Sequence, residues 1–155
     1  SEMCIRDRVE VDLLRTKTHE ATHVSAGHLE TFYRTFDDIR DIHYDGLIIT
    51  GAPVEQMPFD QDELLAAMAP RPVFVTSGNR DYWSDPEAEF RSVISVGRVY
   101  AALGKTPCTQ TEYPAPQTAC CTGDVGYALR EGPHDMTAWD WKQFCNFEAA
   151  QAAKD

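Results

Sequence analysis

The sequence predicts an α/β fold, a partial sheet with helices on its faces, and three observations carry that expectation. Short unbroken apolar and β-branched runs, such as Val73-Phe74-Val75-Thr76, have the composition of strands covered on both faces. Between such runs, apolar residues recur at the spacing of one helical face. Glycines and prolines fall at the boundaries, as in Asp45-Gly46 and at Pro70 and Pro72, where one element ends and the next begins. With 155 residues the chain is long enough to bury a core. A hydrophobic content of 43% beside 25% charged residues places it among globular rather than disordered chains.

Residues 1–8, SEMCIRDR, carry no periodicity and resemble the translation of a sequencing adapter, so they are set aside as a scar or disordered leader. Val9 to Arg15 alternates apolar and charged residues before Leu13-Leu14, which predicts a strand near a sheet edge. A helix follows, starting near Ser25, with Leu29, Phe32, Tyr33, Phe36 and Ile39 on one face. Asp45-Gly46 turns the chain into Leu47-Ile48-Ile49-Thr50, read as a second buried strand ending in Gly51-Ala52-Pro53. A short helix from Glu63 is stopped by Pro70 and Pro72, because proline biases the residue before it away from helical geometry. After the Val73–Thr76 strand, Gly78-Asn79-Arg80-Asp81 forms a turn, and a new helix begins with Asp85 as cap and Pro86 in first position. That helix buries Phe90, Val93, Ile94, Val96, Gly97 and Tyr100, and Gly104 ends it. Residues 105–124 read as loop with one short strand at Thr109–Tyr113, and Val125–Arg130 as a further strand. A last helix, from Thr137 to about Ala153, is expected to turn Trp141, Phe144, Cys145 and Phe147 toward a core.

The net charge of −11 is dispersed along the chain, which suits a solvated surface and argues against a nucleic-acid or anionic-membrane partner. No run approaches the roughly 18 apolar residues of a membrane span, and no charged-then-apolar stretch marks a signal peptide. The five cysteines have no regular spacing and predict neither a disulfide framework nor a zinc pair. His19-Glu20-Ala21-Thr22-His23 spells the H-E-x-x-H zinc pattern, whose chemistry needs both imidazoles on one helical face. The poor helix formers around it, Thr16, Thr18, Val24, Ser25 and Gly27, favour a solvated loop instead, and no metal site is expected.

In open α/β sheets, functional groups collect at the carboxyl edge of the strands. Asp81 follows one predicted strand and His134 follows another. A serine esterase needs an imidazole to take the serine proton and a carboxylate to hold its tautomer. The pair satisfies the chain order of acid before histidine, although Asp and His are common in loops with no catalytic role. The nucleophile is missing. No G-x-S-x-G or similar elbow occurs among the 155 residues, Ser77 lacks the glycine frame, and no cysteine sits in an elbow.

APRPVFV (69–75), the Asp81-Tyr82-Trp83 loop and SDPEAEF (84–90) resemble the late part of an α/β-hydrolase. With VYAALGK (99–105) and GYALREGPHDMTAWDWKQF (126–144), they are similar, more narrowly, to bacterial glucuronoyl esterases of the carbohydrate-esterase type. The resemblance implies a partial α/β-hydrolase-like sheet and hydrolysis of a small-molecule or polysaccharide ester such as a glucuronoyl ester, with no cofactor. It also implies that His134 shuttles the proton of a serine, that Asp81 orients His134, and that Trp83 offers an apolar face to a sugar. The plain alternative for Trp83 is an indole packed in the core.

The stretch 11–59, from VDLLRTKTHEATH through YDGLIITGAP to VEQMPF, is similar to the homoserine O-acyltransferases (succinyl or acetyl) of methionine biosynthesis. It implies an N-terminal segment from a glutamine-amidotransferase-like α/β fold and acyl transfer from CoA through a cysteine. That cysteine, and the His and Glu of its triad, come later in the family than the matched stretch. The two resemblances meet at Met57-Pro58-Phe59-Asp60-Gln61, which divides the chain into 1–8, 9–59 and 60–155. A chimera is expected, since each half alone lacks strands that its core requires. The expected function is that of a carbohydrate-ester hydrolase fragment without its nucleophile segment, inactive alone. The alternatives are a fragment of the acyltransferase and a chimeric chain with no function. Localisation is left open, the first resemblance pointing to a secreted or periplasmic protein and the second to a cytoplasmic one.

Overall fold

The computed structural model describes residues 11–15, 31–44, 46–48 and 61–154. The chain forms two compact units, Ser1–Gly51 and Ala52–Asp155. The leader 1–8, the His19–His23 motif, the helix start near Ser25 and the Thr50-Gly51-Ala52-Pro53 loop lie outside the described residues.

In the first unit β1 (Leu13–Leu14) pairs in parallel with β2 (Tyr33–Arg34), Leu13 opposite Tyr33 and Leu14 opposite Arg34. The helix expected through residue 39 is therefore interrupted: Tyr33 and Arg34 are extended, and a separate short helix, α1 (Phe36–Ile39), follows. The cause is local. Thr35 N–H and Oγ1–H donate to Asp38 Oδ2 at 2.7 and 2.6 Å, a capping arrangement that starts a new helix at this point. Leu47 and Ile48, expected in a buried strand, are irregular and exposed at 68% and 56%. Among the described residues of this unit only Ile39 is buried. The apolar residues are where the pattern puts them, but no described strand lies beside Leu47 to pair its backbone or cover its side chain.

The second unit comprises α2 (Gln61–Ala67), β3 (Val73–Gly78), α3 (Pro86–Ala102), β4 (Thr118–Cys120), β5 (Val125–Arg130) and α4 (Ala138–Ala152). The sheet order is β3-β5-β4, with β3 parallel and β4 antiparallel to β5. Every residue of β5 is buried, as befits a central strand. Side chains alternate across a strand, and the partners of alternate residues show the two faces. Val73, Val75, Val125, Tyr127 and Leu129 join the cluster formed with Val93, Val96 and Tyr100 of α3. Phe74 stacks on Phe147 of α4 with centroids 5.1 Å apart, and Thr76 and Arg130 reach Asp140 of the same helix. Thus α3 and α4 cover opposite faces.

Two expectations need correction here. Thr109–Tyr113 is irregular, and the short strand is instead Thr118–Cys120. Gln117, at φ +66°, donates its N–H to Leu129 O at 2.7 Å and sets the following residues antiparallel to β5. On α4, Trp141 and Cys145 are exposed, whereas Asp140 and Phe147 are buried. Asp140 and Phe147 stand seven residues apart and share a face, so the anchoring of Asp140 sets the helical phase and leaves Cys145 pointing away.

Candidate active site

Because β3 and β5 run parallel in the register Val73 to Val125 and Gly78 to Arg130, their carboxyl ends finish level at one edge of the sheet. Asp81 follows β3 by three residues and His134 follows β5 by four. The two loops are then fastened to each other. Asn79 N donates to Arg130 O at 2.9 Å and Arg80 N to Gly132 O at 3.0 Å. Asn79 Oδ1 accepts from Gly132 N at 2.8 Å. Gly132 has φ +137°, a conformation open to glycine and strained for other residues, and this lets the loop bend over the end of β3.

The result is a carboxylate–imidazole contact: His134 Nδ1 lies 2.6 Å from Asp81 Oδ2. Asp81 is buried, with 7% of its side chain exposed, while the His134 side chain is 88% exposed. Nδ1 is thus engaged from below and Nε2 faces solvent. Burial pushes the Asp81 carboxyl up, but the hydrogen bonds from His134 and Ser84 and the nearby imidazole outweigh it and hold the group below its ordinary value. A buried carboxylate that stays ionised beneath an exposed imidazole can fix the tautomer with Nδ1 protonated and leave Nε2 to accept a proton.

The other acids of this loop have different work. Asp85, at φ +50°, caps α3 by accepting from Ala88 N at 3.2 Å. Glu87 pairs with Arg91 at 2.6 Å on the surface. Glu89 accepts from the buried Ser77 Oγ at 2.5 Å; burial chiefly raises its carboxyl, and the neighbouring Asp81 and Asp85 add to that. Trp83 is fully exposed, as is most of Tyr82 beside it, so the indole is a surface group two residues from Asp81 and not part of the core. Among the described residues no group of three or more His, Cys, Asp or Glu side chains is placed to hold a metal ion. No described helix is long and apolar enough to cross a membrane.

Arg130, Asp140 and Asn79 were missed by sequence reasoning. Arg130 ends β5 with its side chain 5% exposed, and its Nε lies 2.9 Å from Asp140 Oδ2 as an ion pair without the alignment of a hydrogen bond. Asp140 also accepts from Thr76 Oγ1 at 2.7 Å and from Thr137 N and Oγ1, both at 2.8 Å. Burial raises its carboxyl, and these hydrogen bonds together with the Arg130 charge more than reverse the effect. One signal was available: Thr137-x-x-Asp140 has the spacing of a helix-capping box. Nothing in the sequence told that Asp140 would also meet Arg130.

Comparison with known proteins divides the chain in two. The sequence pattern of the homoserine O-succinyltransferase family matches residues 4–69. Homoserine O-acetyltransferase of Bifidobacterium adolescentis is 61% identical over 54 residues, which are 35% of this chain and 16% of that protein. A carbohydrate esterase from an unknown prokaryotic organism is 38% identical over 93 residues, 60% of this chain and 21% of that protein. The solved glucuronoyl esterase of Solibacter usitatus superposes with a TM-score of 0.56 at 38% identity, covering 62% of this chain and 24% of that one. The N-terminal part therefore matches homoserine acyltransferases and the rest matches glucuronoyl esterases of α/β-hydrolase type, the division that a chimera produces. The chain spans about a sixth to a fifth of the length of these curated relatives.

Proposed function

We propose that residues 60–153 are the acid–base portion of a carbohydrate-ester hydrolase, in which His134 is the general base and Asp81 orients it. The observation that supports this most is the 2.6 Å contact between a buried Asp81 and an exposed His134 at one sheet edge. In the reaction, Nε2 of His134 takes the proton of a serine hydroxyl as that oxygen attacks the ester carbonyl, then returns it to the leaving alcohol. Asp81 stays ionised and stabilises the imidazolium that forms in between. Trp83 supplies a flat apolar surface on which a sugar ring stacks. The serine belongs to sequence outside these residues, so the chain alone is a fragment without turnover. The join lies at residues 59–60, with 9–59 and 60–155 derived from different parents.

The test compares the chain with its His134→Ala variant on an alkyl ester of glucuronic acid, each alone and each mixed with the upstream portion of a glucuronoyl esterase that carries the nucleophile. Alone, both should be equally inert; in the mixture, only the intact chain should restore turnover, with a loss of about 10³-fold or more in the variant. Turnover by the chain alone that depends on His134 would overturn the fragment reading.

The N-terminal match supports a second reading, in which 9–59 is a piece of a homoserine O-acyltransferase. On that reading the isolated chain should still fail to acylate homoserine, since no cysteine sits in an elbow. Sequencing the source DNA across codons 55–65 decides whether the two parts are joined in nature.

A further inference from the structure

Taking a guanidinium out of water costs several kcal/mol, and a single ion pair often does no more than offset it, so the buried Arg130–Asp140 pair is weak evidence of stabilisation. The donors show a different use. Arg130 Nη2 donates to Pro133 O and to Asp135 O, both at 2.8 Å, and Nη1 donates to Glu131 O at 3.2 Å. One nitrogen therefore grips the carbonyl just before His134 and the carbonyl just after it. The opposite end of the fork is held by Asp140, which is itself tied to β3 through Thr76 and to the start of α4 through Thr137. The bonds from Asn79 and Arg80 reach the loop only at Gly132, upstream of His134. With its side chain 88% exposed, His134 has little packing of its own to fix its direction.

We propose that Arg130, locked by Asp140, is the positioning residue that holds the 131–135 loop so that His134 presents Nδ1 to Asp81. The planar guanidinium is required because it meets a carboxylate and three carbonyls in one fixed geometry, which the compact ammonium of lysine does not reproduce. Arg130 touches neither substrate nor reacting atoms; it acts through the backbone on both sides of His134. This inference rests on the reading of Asp81 and His134 as an orienting pair.

The test is nitrogen and proton magnetic resonance of the full chain with labelled histidine, which reports the His134 tautomer and the proton on Nδ1 without any substrate. The intact chain should show Nδ1–H as the dominant tautomer, with its proton shifted far downfield, and Asp81→Asn should lose the shift. Absence of that signature in the intact chain would sink the orienting pair itself, whatever Arg130 does. Arg130→Lys should lose the signature while far-ultraviolet circular dichroism stays that of the intact chain. Where Arg130→Lys fails to fold, Asp140→Asn takes its place: it leaves Arg130 and the loop backbone in the chain and removes only the charge that locks the fork at Nε. Asn79→Ala, which frees only the upstream anchor, should keep the signature. A folded Arg130→Lys or Asp140→Asn chain with the signature unchanged, or its loss in Asn79→Ala, would overturn the proposal.

Discussion

Leu47 and Leu129 are both leucines in stretches that read as buried strands, yet one is 68% exposed and the other fully buried. The difference lies in their neighbours. Leu129 belongs to a strand paired on both edges and covered by α3, whereas no described strand stands beside Leu47. An apolar run supplies surface that gains from leaving water, at about 25 cal/mol per Å². Whether that gain is realised depends on other elements arriving to cover it. In the second unit they do so on both faces of the sheet; in the first, the described residues make a two-stranded ribbon of the kind that is marginal on its own.

Truncating the two leucines should separate them most. Leu129→Ala should cost about 2–5 kcal/mol through lost transfer energy and the cavity left behind. Leu47→Ala should fall within about 0.5 kcal/mol, as exposed substitutions do. Urea denaturation of the whole chain followed by circular dichroism measures both, and equal losses would show that Leu47 has a core of its own.

Acid should separate the units next. Asp81, Asp124 and Asp140 are buried, and each is held below the ordinary value of 3.8 despite burial, by hydrogen bonds and by partners that include His134, Lys154 and Arg130. A carboxyl whose folded value is depressed contributes stability that is complete above its unfolded value and is lost as pH falls through the folded one. These three contributions to the second unit should therefore be complete above about pH 4 and weaken steadily below 3.8. Glu89 runs the other way: its raised carboxyl makes a contribution present below 4.5 that is lost as pH rises through its folded value. Asp38 of the first unit is also lowered, by its hydrogen bonds from Thr35, but it is exposed and screened, so its loss should pass unnoticed. Thermal melts between pH 2.5 and 6 check this, and a second unit indifferent to acid would discredit the three buried anchors.

Helix caps give a smaller contrast. Thr137 caps the fifteen residues of α4 and also bonds Asp140, so Thr137→Ala should cost about 1 kcal/mol. Thr35 makes a similar capping box, but for four residues with one buried side chain, and Thr35→Ala should be close to undetectable in chemical denaturation. The smallest effect belongs to Trp83→Ala. An indole that is fully exposed should shift the melting temperature by less than about 1 °C, whereas Phe147→Ala, at 3% exposure, should cost about 3–5 kcal/mol. A large shift on losing Trp83 would mean that its ring packs on something in solution.

Much of the second unit was legible because its signals are local. Pro86 after Asp85 marked the start of α3, and the helical spacing of Phe90, Val93, Val96 and Tyr100 named its buried face. Val73–Thr76 and Val125–Arg130 read as strands from their own composition, and the acid-then-histidine order singled out Asp81 and His134. The interrupted helix at Tyr33-Arg34 was not legible, because pairing with Leu13-Leu14 and the cap at Thr35 competed with a helical pattern that was itself sound. Cys145 and Trp141 were misplaced for a related reason: the apolar residues of α4 allow more than one facing, and a buried aspartate chose among them.

Sequence alone carried the helices of residues 61–154, the strands β3 and β5 and the acid and histidine that follow them, but not the third strand, which it put at Thr109–Tyr113 instead of Thr118–Cys120. What it carried follows from periodicity, capping and turn chemistry, which act over a few residues. Packing between distant elements is what brings Asp81 and His134 to 2.6 Å, sets Arg130 against Asp140, and leaves Leu47 in water while Leu129 is buried. Those outcomes depend on register between strands and on cover from distant helices. Register and cover are properties of pairs of elements, and no single stretch of chain contains them.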